Sequence, residues 1–165
     1  MIEKNIKIPM IVAIVLDAFS LFIVLALILG QGQVIQAFIS SAPNTRIFPL
    51  RTVLAIVFRL LLFLIGLLTM LYYKGEHRRT VSVIFIAILI LSSIASPYIT
   101  IVSNSVNARN LGSAYYGAYS SLSSAISLCT SPLSAISAAL YFIACGRYGI
   151  SDTESTFDPN NYIQP

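Results

Sequence analysis

Charged side chains are scarce in this sequence. Asp, Glu, Lys and Arg together make up 10% of the 165 residues, whereas hydrophobic residues make up 57%. Soluble domains usually carry about 25% charged residues, and so few charges could not cover the surface of a soluble protein of this length. The mean hydropathy is +0.85. The composition therefore predicts an integral membrane protein, whose first partner is the lipid bilayer.

Residue types that build reactive or metal-binding sites are also scarce. The chain has one histidine, His77, and two cysteines, Cys129 and Cys145, which form no CxxC pair. It contains no Ser/His/Asp arrangement, glycine-rich phosphate loop or nucleotide motif. His77 lies in a charged connection and is interpreted as solvated, and both cysteines are interpreted as buried apolar thiols. We therefore expect a protein that is not an enzyme, with no catalytic residue, no metal and no cofactor.

The basic residues do not form a nucleic-acid-binding surface in the sequence. The net charge is +4 and the isoelectric point is near 9.2. The lysines and arginines are scattered among short connections, without a basic stripe or a recognisable nucleic-acid module. They are interpreted as topology signals that also attract anionic lipid, and no nucleic-acid partner is expected.

Four apolar segments are long enough to cross the hydrocarbon core, which takes about 20 helical residues. The predicted fold class is an all-α membrane protein with a four-helix transmembrane bundle over residues 1–146. Residues 147–165 are predicted to form a short, polar, disordered tail because they cannot bury enough apolar area. The first segment follows two lysines, but its apolar run is too long for a signal peptide. The helices are predicted at about residues 8–29, 53–73, 81–102 and 113–145.

The basic residues of the connections are distributed unequally between the two sides of the membrane, and this bias predicts the orientation of the bundle. The predicted outer side has three basic residues, Arg46, Arg51 and Arg109. Both termini are therefore predicted to be cytoplasmic, and the expected location is the cell membrane. The six basic residues on the predicted cytoplasmic side are Lys4, Lys7, Lys74, Arg78, Arg79 and Arg147.

Small and polar residues predict which helix faces pack, because apolar residues give helices little reason to associate in lipid. In the fourth helix, eight small residues follow a 4-3-4-3 spacing, a period of 3.5 that favours a left-handed packing seam. This seam is predicted within the bundle or between subunits. The alternative is a polar wall along a solute path, but serine hydroxyls can bond to their own helix and need no substrate. The seam residues are Ser113, Gly117, Ser120, Ser124, Ser127, Ser131, Ser134 and Ala138.

The first two helices carry matching stripes of small and polar residues, and each stripe contains one charge. In the first helix the stripe contains Asp17, and in the second it contains Arg59, so both charges are predicted to face the interior of the bundle. The stripe of the first helix is Ala13, Asp17 and Ser20. The stripe of the second helix is Ala55, Arg59, Leu62, Gly66, Thr69 and Tyr73.

Asp17 and Arg59 are predicted to form an intramembrane charge pair. A charge at the bilayer centre costs roughly 2.5–3.5 kcal/mol even on the most lenient scale of membrane insertion. A helix that contains one is therefore expected to need a compensating interaction, such as an ion pair. The two Cα atoms differ in depth by about 8 Å at 1.5 Å per residue, a gap that an arginine can span. Their side chains lean away from each other, so the alternative is that Arg59 extends to the outer interface.

Two functions remain open. A charge pair can fix which helices pack together, which favours a non-enzymatic membrane component that assembles as a homo-oligomer or in a larger membrane complex. Alternatively, Asp17 is a proton or cation site, and the protein is a small proton- or solute-coupled transporter that uses Asp17 and Arg59. The first function is preferred because the fixed charge of Arg59 favours an ionised Asp17 while the two are paired.

Overall fold

The computed structural model describes residues 2–30, 48–110 and 113–155. This part of the chain is all-helical, and its four helices are each long and apolar enough to cross a membrane. The prediction of four apolar helices is therefore confirmed. The helices are α1 (Ile2–Gly30), α2 (Phe48–Tyr72), α3 (Arg78–Asn110) and α4 (Ser113–Ser155).

Helix α4 extends further than the sequence predicted. A disordered tail was expected from Arg147, but residues 147–155 continue the helix. Two contacts distant in sequence anchor this extension. Arg147 Nη1 donates to the backbone oxygen of Asn5 at 2.8 Å, and the hydroxyl of Tyr148 donates to the backbone oxygen of Tyr73 at 3.0 Å. Residues 156–165 of the predicted tail lie outside the described residues.

Helix α1 is the centre of the bundle. It packs most extensively against α4 and then against α2, while α3 packs mainly on α4. Its six most deeply buried side chains, apart from Pro9, follow a strict 4-3-4-3-4 spacing, the period of coiled-coil-like packing. The predicted stripe of α1 therefore lies on its buried face. The six side chains are Ile6, Met10, Ala13, Asp17, Ser20 and Val24.

The interior consists of two apolar clusters with a polar layer between them. The distal cluster contains Val24, Ile56 and Ile126, far from the α2–α3 connection. The polar layer contains Asp17 and Ser20 of α1, Arg59 of α2 and Ser137 of α4, each between apolar residues of the two clusters in its own helix. The proximal cluster, close to the connection, contains Ile6, Met10, Ala13, Leu62, Phe63, Met70, Leu89, Tyr141, Ala144, Cys145 and Tyr148.

The buried face of α2 agrees with its predicted stripe in part. Leu62 and Gly66 are buried, and Arg59 and Thr69 are half-buried. The two ends of the predicted stripe, Ala55 and Tyr73, are exposed. Bulky neighbours take the buried positions there: Ile56 and Met70 pack into the two clusters.

The buried face of α4 is offset from the predicted seam. Gly117, Ser124, Ser127 and Ser131 are exposed, while Ser120, Ser134 and Ala138 are half-buried. The side chain of Ser113 lies outside the described residues. Large side chains pack against α1 and α2 instead, because an aromatic ring makes more contact than a row of serines. Within one chain the serines are therefore not the packing face. The residues buried on α4 are Tyr119, Ile126, Ser137, Tyr141, Ala144, Cys145, Tyr148 and Gly149.

Candidate functional site

Asp17 and Arg59 form a bidentate ion pair at the centre of the polar layer. Arg59 Nε donates to Asp17 Oδ2 at 2.7 Å, and Arg59 Nη2 donates to Asp17 Oδ1 at 2.8 Å. The Asp17 side chain is completely buried, whereas 17% of the Arg59 side chain remains exposed. The two parallel bonds give the pair a defined geometry.

Ser137 of α4 completes the site. Its hydroxyl donates to Asp17 Oδ1 at 2.8 Å and also lies 3.0 Å from the backbone oxygen of Ser134. A serine hydroxyl has one hydrogen, so Ser137 has two alternative acceptors for it. The carboxylate of Asp17 thus receives three hydrogen bonds from two helices, which compensates for its removal from water.

Sequence reasoning missed Ser137 because it lies outside the serine stripe. A second signal was present in the same helix: Ser137, Tyr141, Ala144 and Tyr148 are spaced 4-3-4. All four are buried. A stripe that begins with a hydroxyl and continues with aromatic residues describes the buried face of α4 better than a stripe of serines alone.

Part of the polar layer has no hydrogen-bond partner within the described part of the chain. The hydroxyl of Ser20, one turn along α1 from Asp17, is completely buried and unpaired. Arg59 has five N–H donors, and two of them bond to Asp17. The other three have no acceptor among the described residues. The layer therefore has spare donors next to a buried carboxylate.

The proximal cluster positions Ser137 in the site. One turn along α4, Tyr141 stacks on Phe63 with ring centroids 4.8 Å apart and meets the ring of Phe85 edge-on at 6.4 Å. A Cβ added at Gly66 would lie 3.0 Å from the Cε2 and the hydroxyl oxygen of Tyr141. The hydroxyl of Ser82 also donates to the backbone oxygen of Cys145 at 2.6 Å. These contacts hold α4 against α2 and α3 on the proximal side of the polar layer.

The other candidate residues do not form a site. His77 is exposed in the connection. The two cysteines are free, and the prediction that both are buried is wrong for Cys129, which is exposed, whereas Cys145 is buried. In the described residues there is no group of three or more His, Cys, Asp or Glu that could bind a metal ion.

Comparisons of the chain with protein-family models, curated proteins and solved structures give no match. The function is therefore inferred from the arrangement of the chain's own residues.

Proposed function

We propose that this protein is a non-enzymatic, multi-pass component of the cell membrane that acts by assembling, with itself or within a larger membrane complex, through a small, polar helix face. The observation that supports this function is the α4 serine face, which we define as Ser124, Ser127 and Ser131. All three are exposed, and they lie in the apolar segment Tyr119–Ile150.

The hydroxyls of the α4 serine face donate no hydrogen bond to any described residue. Neighbouring hydroxyls do: Ser121 bonds to the backbone oxygen of Gly117 at 3.0 Å, and Thr130 bonds to that of Ile126 at 2.7 Å. In hydrocarbon an unpaired hydroxyl is unfavourable, because no water is present to satisfy it. These hydroxyls can bond to their own helix, as Ser121 and Thr130 do, and a polar partner on this face would offer them bonds across the interface instead.

The chemistry of this face suits a helix partner, including a second copy. Small residues allow two helix backbones to approach closely. A hydroxyl both donates and accepts, so the face is complementary to itself, as a symmetric interface requires. The described residues of α3 do not cover this face, because Ser124, Ser127 and Ser131 are exposed.

The proposed orientation places both termini in the cytoplasm. Lys4, Lys74 and Arg147 are exposed, and the bond from Arg147 to Asn5 joins the N-terminal part of α1 to the C-terminal part of α4. Basic residues at one end of a bundle favour the cytoplasmic side.

The experiment that tests assembly measures the mass of the purified protein in detergent. We expect a homo-oligomer or a complex for the natural sequence, and dissociation for Ser127→Leu and Ser131→Leu, because leucine prevents close approach of the helices. Cys129→Leu is the matched control: it is exposed, lies at the same depth and points to another side of α4. If both serine variants assemble like the natural sequence, the proposed interface is wrong.

A second candidate function is a small proton- or solute-coupled transporter that uses Asp17 and Arg59. The observation that favours it is the hydroxyl of Ser137, which has two alternative acceptors next to a buried carboxylate. A flux assay in proteoliposomes distinguishes the two functions. Transport requires a proton or solute flux that Asp17→Asn abolishes, whereas assembly requires no flux.

A further inference from the structure

We infer that the polar layer is a proton-linked binding site for a small planar oxyanion, such as a carboxylate or nitrate. Protonation of Asp17 releases the guanidinium of Arg59, and the anion then binds to Arg59 in place of the carboxylate. This inference deepens the second candidate function, the transporter, and rests on it.

The charge balance of the layer requires the proton and the anion to bind together. With Asp17 ionised, the Asp17–Arg59 pair is neutral. With Asp17 protonated, Arg59 alone would leave an uncompensated positive charge in the membrane, which is costly. A bound anion restores neutrality. An anion added without the proton would leave a net negative charge, so each species favours the binding of the other.

The geometry of Arg59 selects the shape of the anion. Its Nε and Nη2 donate in parallel to the two oxygens of one carboxylate. A planar anion with similarly spaced oxygens can accept the same two bonds. The three N–H donors of Arg59 that have no acceptor among the described residues provide further bonds.

Ser137 allows Asp17 to exist in both protonation states. When Asp17 is ionised, the hydroxyl of Ser137 donates to it at 2.8 Å. When a proton binds to the carboxylate, the two bonds from Arg59 break and the new O–H donates to Ser137 Oγ. The hydrogen of Ser137 then bonds to the backbone oxygen of Ser134, which lies 3.0 Å away. In each state the hydroxyl of Ser137 therefore has an acceptor, and so does the added proton.

The fully buried hydroxyl of Ser20, which has no partner among the described residues, supplies an additional bond to the anion or to the carboxylic acid. Among the described residues, no other charged group lies in this layer. From α2, Asp17 is faced by Arg59; from α4, it is faced by Ser137, with the phenol of Tyr141 one turn away. Helix α3 contributes Leu89 to the proximal cluster, and the hydroxyl of Ser92, about one turn further along, donates to the backbone oxygen of Leu89 at 2.8 Å.

The guanidinium of Arg59 is the side of the ion pair that an anion can approach. Arg59 is the partly exposed member of the ion pair, so the guanidinium is reached before the carboxylate.

The first experiment measures binding by thermal melting of the purified full-length chain in detergent. Sodium nitrate is titrated against sodium chloride of equal ionic strength at about pH 5 and about pH 8, so that the proton concentration differs by about a thousandfold. Nitrate is planar and ionised at both values. Because one proton binds with each anion, we expect the apparent Kd for nitrate to rise by up to about tenfold per pH unit.

Asp17→Asn is the matched variant, because it keeps the shape of the side chain and cannot bind the proton. It should bind nitrate with the same affinity at both pH values. For the natural sequence, no stabilisation by nitrate, or an equal affinity at both pH values, would overturn the inference. These wild-type curves decide the matter even if Asp17→Asn does not fold.

The second experiment separates this inference from the transporter function. Phosphatidylcholine vesicles that contain the protein and a trapped pH dye are given an inward nitrate gradient, which should acidify the lumen in an Asp17-dependent manner. Asp17-dependent proton entry that ignores nitrate would overturn the anion site and leave the transporter function standing. Nitrate binding without any flux would support the site and overturn transport.

Discussion

Phe63 of α2 and Tyr141 of α4 stack with an angle of 22° between their rings, one helical turn from Arg59 and Ser137 respectively. The aromatic pair therefore lies directly beside the polar layer and on the same helix faces. The stacked rings connect α2 to α4 on the proximal side of the layer. The position of the ion pair depends on this packing.

The first prediction concerns this aromatic connection. Tyr141→Ala should lower the free energy of unfolding by about 3–5 kcal/mol, because it removes a completely buried ring and leaves a cavity. Tyr141→Phe keeps the ring and should change stability by less than about 1.5 kcal/mol. Thermal melting in detergent compares the two variants. Equal losses would show that the ring does not connect α2 and α4.

The second prediction concerns the close approach of α2 to that ring. A Cβ at Gly66 would lie 3.0 Å from Tyr141 Cε2 and Oη, and the ring is confined by Phe63 and Phe85. Gly66→Ala should therefore lower the melting temperature.

Gly146→Ala is the control for Gly66, because no atom lies within 4 Å of the added Cβ. Alanine is a better helix former than glycine by about 1 kcal/mol, so this variant should be as stable as the natural sequence or more stable. A stabilising Gly66→Ala would contradict the close packing of Gly66 against Tyr141.

Much of the fold could be predicted from the sequence because it depends on local properties. Apolar runs marked the four helices, and the spacing of Asp17 and Ser20 on α1 identified its buried face. The charge pair could be proposed because a buried charge requires a partner. These conclusions need only helix periodicity and the cost of a charge in lipid.

The rest could not be predicted because it depends on contacts between distant segments. The buried face of α4 is set by the fit of Tyr141 between α2 and α3, which the serine spacing does not encode. The helical residues after Gly146 depend on Asn5 and Tyr73, which are far away in sequence. Ser137 could be found only by extending the aromatic stripe of α4 backwards.

The third prediction concerns orientation and follows from the distribution of basic residues. In a Cys129→Ala background, a cysteine at Glu76 should be protected from a membrane-impermeant thiol reagent in intact cells. A cysteine at Asn107 should react. Both should react after the membrane is permeabilised, which controls for folding. The reverse pattern in intact cells would place both termini outside.

The last prediction concerns the ion pair and its net contribution to stability. Asp17→Leu or Arg59→Leu alone leaves the other residue without its partner, and removing one member of a buried pair costs about 3–5 kcal/mol in soluble proteins. Each single variant should therefore melt at a lower temperature and yield less folded protein. The double variant Asp17→Leu with Arg59→Leu should recover most of this loss, because two apolar side chains suit the space between the proximal and distal clusters. Ser137→Ala should cost less than either, since it removes one of three bonds to Asp17 and leaves both charges paired.

Melting curves of these variants, measured in one detergent, give the coupling energy between the two charges. Losses that add in the double variant would contradict a direct pair. Recovered stability without recovered nitrate binding is the result expected if the pair both positions the helices and forms the anion site.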